Sequence, residues 1–121
     1  METTISTIMA IAAMNASGFT ISANTLQSIN KGYAVAIAET QNSFGIDGIA
    51  NVIRAISEGK ANAIGGWYDN QTGLYYYDAV MVYSNYDAAY RAAIENEQLA
   101  FFDLKKCKEI RLQDSLNIIV A

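Results

Sequence analysis

The sequence predicts a single α+β domain. A chain of 121 residues is long enough for one hydrophobic core but too short for two. From Tyr33 to Leu104, segments with strand and helix periodicity follow one another in the order β-α-β-β-α-β. This order is typical of the ferredoxin-like split βαβ arrangement, in which two helices cover one face of an antiparallel sheet. We therefore predict a ferredoxin-like core over residues 33–112, an added N-terminal helix within residues 1–17 with a short strand after it, and an apolar tail over 113–121.

The first elements are a helix over residues 3–15 and a strand over residues 19–22. Apolar side chains recur at helical spacing in the first of these, at Ile5, Ile8, Met9, Ala12 and Ala13. The opposite side of this helix is only weakly polar, which favours a helix that is covered on more than one side. Residues 23–31 fit either a helical turn or a loop.

A buried strand over residues 33–38 and a helix over residues 46–58 come next. The strand carries no charge, and isoleucine and valine residues form one stripe along the helix, which Gly59 ends. Ser43 or Asp47 is expected to cap the helix.

The loop between this strand and helix, residues 39–45, is polar. Backbone amides and the helix dipole favour an anion or a hydrogen-bonding ligand at such a position. Candidate binding residues are Gln41, Asn42, Ser43 and Phe44. Ordinary capping chemistry is the alternative explanation for their presence.

A β-hairpin organises the second half of the chain. Two runs rich in aromatic and β-branched residues, 63–68 and 74–84, flank a turn over residues 69–73, in which Gly73 supplies a positive φ. A helix over residues 85–96 follows, capped by Ser84 or Asn85. The remaining predicted strands cover residues 99–104 and 109–112.

The tyrosines of the second hairpin strand form the strongest candidate site. Alternation places Tyr75, Tyr77, Met81 and Tyr83 on one side, and Tyr76, Asp78, Val80 and Val82 on the other. If the two valines face the helices, the tyrosine side is left open and, together with Trp67, offers a protein interface. Stacking of nucleic-acid bases, binding of a small ligand, and simple coverage by the N-terminal helix are the alternatives.

Composition excludes several classes of protein. The net charge is −4, which does not favour a nucleic-acid binder. The chain has no histidine, so the usual Ser-His and Cys-His catalytic pairs and His-based zinc sites are absent. Paired carboxylates remain available for magnesium binding or acid–base chemistry, but nothing in the spacing brings together Glu39, Asp69, Asp78 and Asp103. We expect no catalytic residues, no metal and no cofactor.

The sequence favours a cytoplasmic protein. It contains no apolar run of about 18 residues, so no membrane contact is expected. The apolar segment 8–14 lacks the preceding basic residues of a signal peptide. A single cysteine, Cys107, fits a reducing compartment.

Four motifs resemble those of a family of small phage and mobile-element proteins with no assigned activity, often from gut bacteria. They are the segment 39–45, Gly65-Gly66-Trp67 with Asp69 and Gly73, the segment 75–78, and 102–104 before Glu109-Ile110. The similarity covers about residues 18–112. It implies a mobile-element setting, in which compact acidic proteins often act as accessory proteins or inhibit host defence.

The leading hypothesis is a non-enzymatic protein that binds another protein, either a host defence factor or a second copy of itself. The apolar N-terminal helix and tail favour a homodimer. A virion or assembly subunit is one alternative. A single-stranded nucleic-acid or nucleotide binder is another, and it requires the open tyrosine side to be bordered by basic residues drawn from Lys31, Arg54, Lys60, Lys105, Lys106 and Lys108.

Overall fold

The computed structural model describes residues 2–112, the side chains of residues 2 and 3 excepted. The predicted tail, 113–121, lies outside this range. Within it the chain forms three α-helices, one turn of 3₁₀ helix at Ala38–Thr40, and six strands. The helices are α1 (Glu2–Met14), α2 (Gly45–Ser57) and α3 (Tyr86–Glu95); the strands are β1 (Phe19–Ser22), β2 (Tyr33–Ala36), β3 (Ala63–Asp69), β4 (Leu74–Tyr83), β5 (Ala100–Asp103) and β6 (Lys108–Arg111).

The strands form one antiparallel sheet with the order β1-β3-β4-β2-β5-β6. The predicted α+β class is thereby confirmed. The β3–β4 hairpin pairs residue for residue from Ala63 opposite Val80 to Asp69 opposite Leu74. Strand β2 lies on the other side of β4, with Tyr33 opposite Tyr83.

All three helices pack on the same side of the sheet, which we call the helix face. Near the hairpin, buried side chains of α1 and α2 meet those of β3 and β4, including Ile8, Val52, Ile64, Tyr77 and Ala79. Farther along the sheet, α3 packs against β2 and β5 through a second cluster that includes Val35, Ala89, Ala93 and Phe101. Burial of these side chains is the main stabilising contribution to the fold.

The opposite side, which we call the open face, has a smaller apolar cluster. Buried Ala34, Ala63, Val80 and Leu104 form it, with Ile29 and Val82 packed against them. Ile29 belongs to the segment between β1 and β2, which forms no helix and only one isolated bridge to β1, between Ser28 and Ile21. Toward the hairpin end of this face, Trp67 is 46% exposed.

The predicted elements match the observed ones to within about two residues at most ends. The cap of α3 is confirmed, since the backbone N–H of Ala88 donates to Asn85 Oδ1 (3.0 Å). The cap predicted for α2 is wrong. Phe44 occupies that position, and no side chain accepts a capping hydrogen bond there.

Gly66 is required by the packing of the helix face. A Cβ at this position would lie 2.3 Å from Phe19 Cε1 and 2.8 Å from Tyr75 Cε1. These rings, 6.1 Å apart and stacked, therefore lie directly over the backbone of β3. The neighbouring Gly65 points to the open face, where a Cβ would lie 3.1 Å from its nearest neighbour, Val80 Cγ2.

Candidate functional site

The expected orientation of β4 is wrong. Tyr75 and Tyr77 lie on the helix face, where α1 and α2 cover them, and Tyr77 is only 4% exposed. Met81, opposite Val35, and Tyr83, packed near α3, share that face. Coverage by the N-terminal helix, the alternative weighed for these residues, is what the structure shows for Tyr75 and Tyr77.

Tyr75 is hydrogen-bonded to the end of α1 and partly buried beneath it. Its hydroxyl donates to the backbone carbonyl of Asn15 (2.7 Å), at the end of α1. Burial, together with the nearby Tyr77 hydroxyl, raises the pKa of Tyr75 to about 12. Burial also raises the pKa of Tyr77. These two tyrosines therefore hold α1 on the sheet rather than facing a partner.

A different aromatic group lies on the open face. Trp67 and Tyr76 are direct cross-strand partners, and their rings stack with centroids 5.0 Å apart. Phe44 meets Tyr76 edge-on at 5.9 Å. Trp67 and Phe44 are 46% and 47% exposed. We call Trp67, Tyr76 and Phe44 the open-face aromatic trio.

Beside this trio, the chain leaves the sheet and then returns to it. The N–H of Ile37 donates to the Ala79 carbonyl (3.0 Å), continuing the β2–β4 register. The chain then forms the 3₁₀ turn and rejoins β4 where the Ser43 carbonyl accepts from the N–H of Tyr77 (2.8 Å). Between these points Thr40 Oγ1 accepts from the N–H of Ala79 (3.0 Å). The loop is thus fixed to the sheet at three places.

This departure leaves a cleft above Asp78, on the open face of β4. Continuing the β2–β4 register from Ala36 opposite Val80 would place Ala38 opposite Asp78, but Ala38 begins the 3₁₀ turn instead. On the other flank Asp78 lies opposite Gly65, which has no side chain. Neither cross-strand neighbour therefore covers the Asp78 carboxylate.

The cleft has a volume of about 280 Å³ and a mixed lining. Two carboxylates, three side-chain amides and two aromatic rings surround it, together with one small residue. They are Asp69, Asp78, Gln41, Asn42, Gln98, Trp67, Tyr76 and Ala36. Of the described residues, those lining the cleft include no lysine and no arginine. The cleft is therefore an acidic site with aromatic walls.

Asp78 has an unusual electrostatic environment. Burial raises the pKa of its carboxyl to about 6, and no charged or hydrogen-bonding group counteracts the effect. Among residues 2–112 the Asp78 carboxylate has no ion-pair or hydrogen-bond partner. An ionised carboxylate that is partly desolvated and unpaired destabilises the folded state near neutral pH.

The polar loop contributes to the cleft in part. Gln41 and Asn42 line it, and Asn42 adopts a positive φ of 65°, a conformation that asparagine tolerates better than most residues. Ser43 is buried, and its backbone carbonyl is used in the contact with β4. Phe44 lies at the edge through the aromatic trio. Of the sequence-predicted site residues, the structure thus brings together Gln41, Asn42, Phe44 and Trp67.

The other carboxylates considered in the sequence have local roles. Asp103 Oδ1 accepts from the N–H groups of Lys105 and Lys106 (both 3.1 Å). Glu39 forms an exposed ion pair with Lys60 (2.6 Å). Only Asp69 and Asp78 share a site. Among residues 2–112, no three acidic or cysteine side chains lie close enough together to hold a metal ion.

The sequence analysis did not select Tyr76, and it considered Asp78 only as one of four carboxylates that nothing in the spacing brings together, although a signal for both residues was present. The alternation correctly put both on one side of β4 with Val80 and Val82. Placing that side against the helices would bury the Asp78 carboxylate in an apolar core, which is costly without a partner. The aspartate was therefore a better indicator of the open face than the valines.

Comparisons of the chain with protein-family models, curated proteins and solved structures find no match. The resemblance to phage and mobile-element proteins stays a prediction. The three helices of the described range have 13, 13 and 10 residues, fewer than the roughly 20 that a membrane span needs.

Proposed function

We propose that this protein is a non-enzymatic binding module that contacts another protein through the hairpin half of its open face. The observation that carries the proposal is the open-face aromatic trio beside the Asp78 cleft. Trp67 is about half exposed and Tyr76 is half-buried beside it, and tryptophan and tyrosine are residue types that dominate protein-interface hot spots. Trp67 stacks on Tyr76 and is nevertheless 46% exposed, so much of its ring is available to a partner.

The shape of the surface supports a protein partner over a bulky small molecule. Drug-sized ligands occupy pockets of roughly 300–1,000 Å³, and this cleft is smaller and open to one side. The exposed Phe102 also lies on the open face, since it pairs with Ala34 across the sheet. A flat, partly aromatic surface with one small cleft suits a protein partner that inserts one side chain.

Charge disfavours the nucleic-acid alternative. The cleft is lined by two carboxylates, and phosphate groups are repelled from such a site. Lys60, one of the basic residues that this alternative requires, is held by Glu39 and Glu58. The partner surface is therefore neutral or basic.

Two further proposals concern setting and fold. In the mobile-element setting that the resemblance implies, the partner would be a host factor, including a defence factor. We also propose that β2, α2, β3, β4, α3 and β5 follow the ferredoxin-like plan. The strand order β3-β4-β2-β5, with both connecting helices on one face, supports this assignment.

The protein partner can be tested by affinity capture from bacterial lysate with crosslinking and mass spectrometry. The test variant is Trp67→Ala. Its matched control is Tyr68→Ala, since Tyr68 is the next residue of β3, is similarly exposed at 42%, and points to the opposite face. We expect the wild-type and Tyr68→Ala proteins to capture the same partner, and Trp67→Ala to lose it.

Two results would contradict the proposal. One is capture that is unchanged in Trp67→Ala. The other is equal loss in both variants with unchanged circular dichroism, because it would place the contact at the hairpin end rather than on the open face. Self-association stays a separate prediction, and light scattering over a wide concentration range measures it.

A further inference from the structure

We propose that the Asp78 cleft receives a guanidinium group, supplied by an arginine side chain of the protein partner. The assignment of the group to a protein partner rests on the proposed function. The preference for a guanidinium depends only on the residues that line the cleft. The inference joins three features of the cleft: an unpaired carboxylate at its base, an aromatic wall, and amide side chains at its rim.

The carboxylate sets the charge of the ligand. Asp78 lies between Gly65 and the position that β2 vacates, so its oxygens are reachable from the open face. It has no ion-pair or hydrogen-bond partner among residues 2–112. Asp69 adds a second negative charge to the lining, and one of its oxygens already accepts from the N–H of Gln71 (2.9 Å). A cation is the ligand that compensates both carboxylates.

The aromatic wall selects among cations. Trp67 lies diagonally across from Asp78 on the same face, because its direct partner is Tyr76, two residues away on β4. A planar guanidinium stacks on an aromatic face and donates two parallel hydrogen bonds to a carboxylate. An ammonium group has neither the planarity nor the paired donors. The geometry therefore favours arginine over lysine.

The rim supplies acceptors for the remaining donors. A guanidinium has five N–H groups, and one carboxylate satisfies only two of them. Gln41, Asn42 and Gln98 line the same cleft, and each carries a side-chain amide whose oxygen can accept a hydrogen bond. Three different segments of the chain contribute to the cleft: Gln98 follows α3, Gln41 and Asn42 precede α2, and the carboxylates lie in the hairpin. The volume of about 280 Å³ suits one side chain rather than a larger ligand.

The test uses the full chain and the probe N-acetyl-L-arginine methylamide, at constant ionic strength. Trp67 is the only tryptophan of the chain and lines the cleft, so its fluorescence reports binding directly. The corresponding citrulline derivative is the uncharged, nearly isosteric control. The lysine derivative tests the preference for a planar cation. Free arginine, with its own carboxylate, distinguishes a free amino acid from a side chain of a protein.

We expect saturable binding of the arginine derivative at pH 7.5, at least fivefold weaker binding of the lysine derivative, and none of the citrulline derivative. Asp78→Asn should lose at least tenfold in affinity, whereas Asp87→Asn, an exposed carboxylate of α3, should bind like the wild type. At pH 5 binding to the wild type should weaken, because Asp78 is then largely protonated. Asp69 and Tyr76 are the other titratable groups of the lining, and both are still present in Asp78→Asn. If the affinity of Asp78→Asn does not change between pH 7.5 and pH 5, the weaker binding of the wild type at pH 5 is due to Asp78.

Several results would overturn the inference: equal binding of the citrulline derivative, unchanged affinity in Asp78→Asn, or no binding of the arginine derivative at all. Much tighter binding of free arginine than of the capped derivative would overturn the partner side chain as the source. The two proposals fail separately. Capture of a partner that depends on Trp67, without binding of the probe, removes only the guanidinium assignment. Binding of the probe without a captured partner removes only the protein-binding function.

Discussion

The two faces of the sheet use similar residues for different purposes. On the helix face, Phe19, Tyr75 and Tyr77 form an aromatic group that the helices cover. On the open face, Trp67, Tyr76 and Phe44 form a similar group, in which Trp67 and Phe44 are each about half exposed. Residues adjacent in sequence, such as Tyr76 and Tyr77, therefore differ in burial: Tyr77 is part of the core, and Tyr76 belongs to the surface that we propose for binding.

The largest contrast is expected between Tyr77→Ala and Trp67→Ala. Truncating a buried aromatic ring typically costs about 3–5 kcal/mol, because the surrounding core cannot close the cavity. Trp67 is half exposed, so its truncation removes much less buried surface and leaves no enclosed cavity; its stacking on Tyr76 adds roughly 0.5–1.5 kcal/mol to the contribution of that surface. Urea unfolding of both variants measures the difference. Equal losses of unfolding free energy in the two variants would contradict the assignment of Tyr77 to the core and Trp67 to the open face.

A second contrast compares the adjacent glycines. Gly66→Ala would force a methyl group into the rings of Phe19 and Tyr75, and such overpacking typically costs about 1–3 kcal/mol. In Gly65→Ala the closest neighbour of the new methyl group is Val80 Cγ2 at 3.1 Å, and alanine also restricts the unfolded chain. We expect Gly65→Ala to remain within about 1 kcal/mol of the wild type. Thermal unfolding measures the stability of both variants. A larger loss of stability in Gly65→Ala than in Gly66→Ala would contradict the assignment of Gly66 to the helix face.

A smaller effect is expected from Tyr75→Phe. Near neutral pH it removes the hydrogen bond to the Asn15 carbonyl, worth about 0.5–1.5 kcal/mol. The pKa of Tyr75 is about 12 in the folded protein, above the usual value of 10, so its contribution is present below pH 10 and is lost as the pH rises towards 12. The gap in unfolding free energy between the wild type and Tyr75→Phe should therefore be constant below pH 10 and narrow as the pH rises from 10 towards 12. A constant gap over that range would show that Tyr75 is not desolvated.

Local patterns in the sequence were sufficient to predict the elements of the fold. Period-2 and period-3.6 patterns located the strands and helices, and Asn85 and Gly73 correctly marked a helix start and a turn. The assignment of faces failed, because β4 carries apolar side chains on both sides and periodicity alone cannot say which side meets the helices. Here Val80 and Val82 pack into the small cluster of the open face, against Ala34, Ala63 and Leu104.

The cleft was harder to predict than the fold. It depends on Ala38, where the chain leaves β2, and on Gly65, two positions that are defined only by strand register. Gln98, on the far side of α3, joins the lining only through tertiary packing. Gln41, Asn42 and Trp67 were recognised from residue type, whereas the residue at the base of the cleft required the register of three strands.

In our proposal, the open face carries a ligand site, and the Asp78 carboxylate of that site reduces the stability of the folded protein. The most direct test is urea unfolding of the wild type and Asp78→Asn at pH 7.5 and pH 4, with Asp87→Asn as the charge-matched control. The pKa of Asp78 is raised to about 6 in the folded protein, so the folded state favours the neutral acid, and stability is lost as the pH rises through 6.

We predict that Asp78→Asn is more stable than the wild type at pH 7.5, by roughly 1–3 kcal/mol, and that the difference disappears near pH 4. Comparing the two proteins at each pH cancels the titration of the other carboxylates. An Asp78→Asn variant that is less stable than the wild type at pH 7.5, or a difference independent of pH, would show that Asp78 serves the fold rather than a ligand.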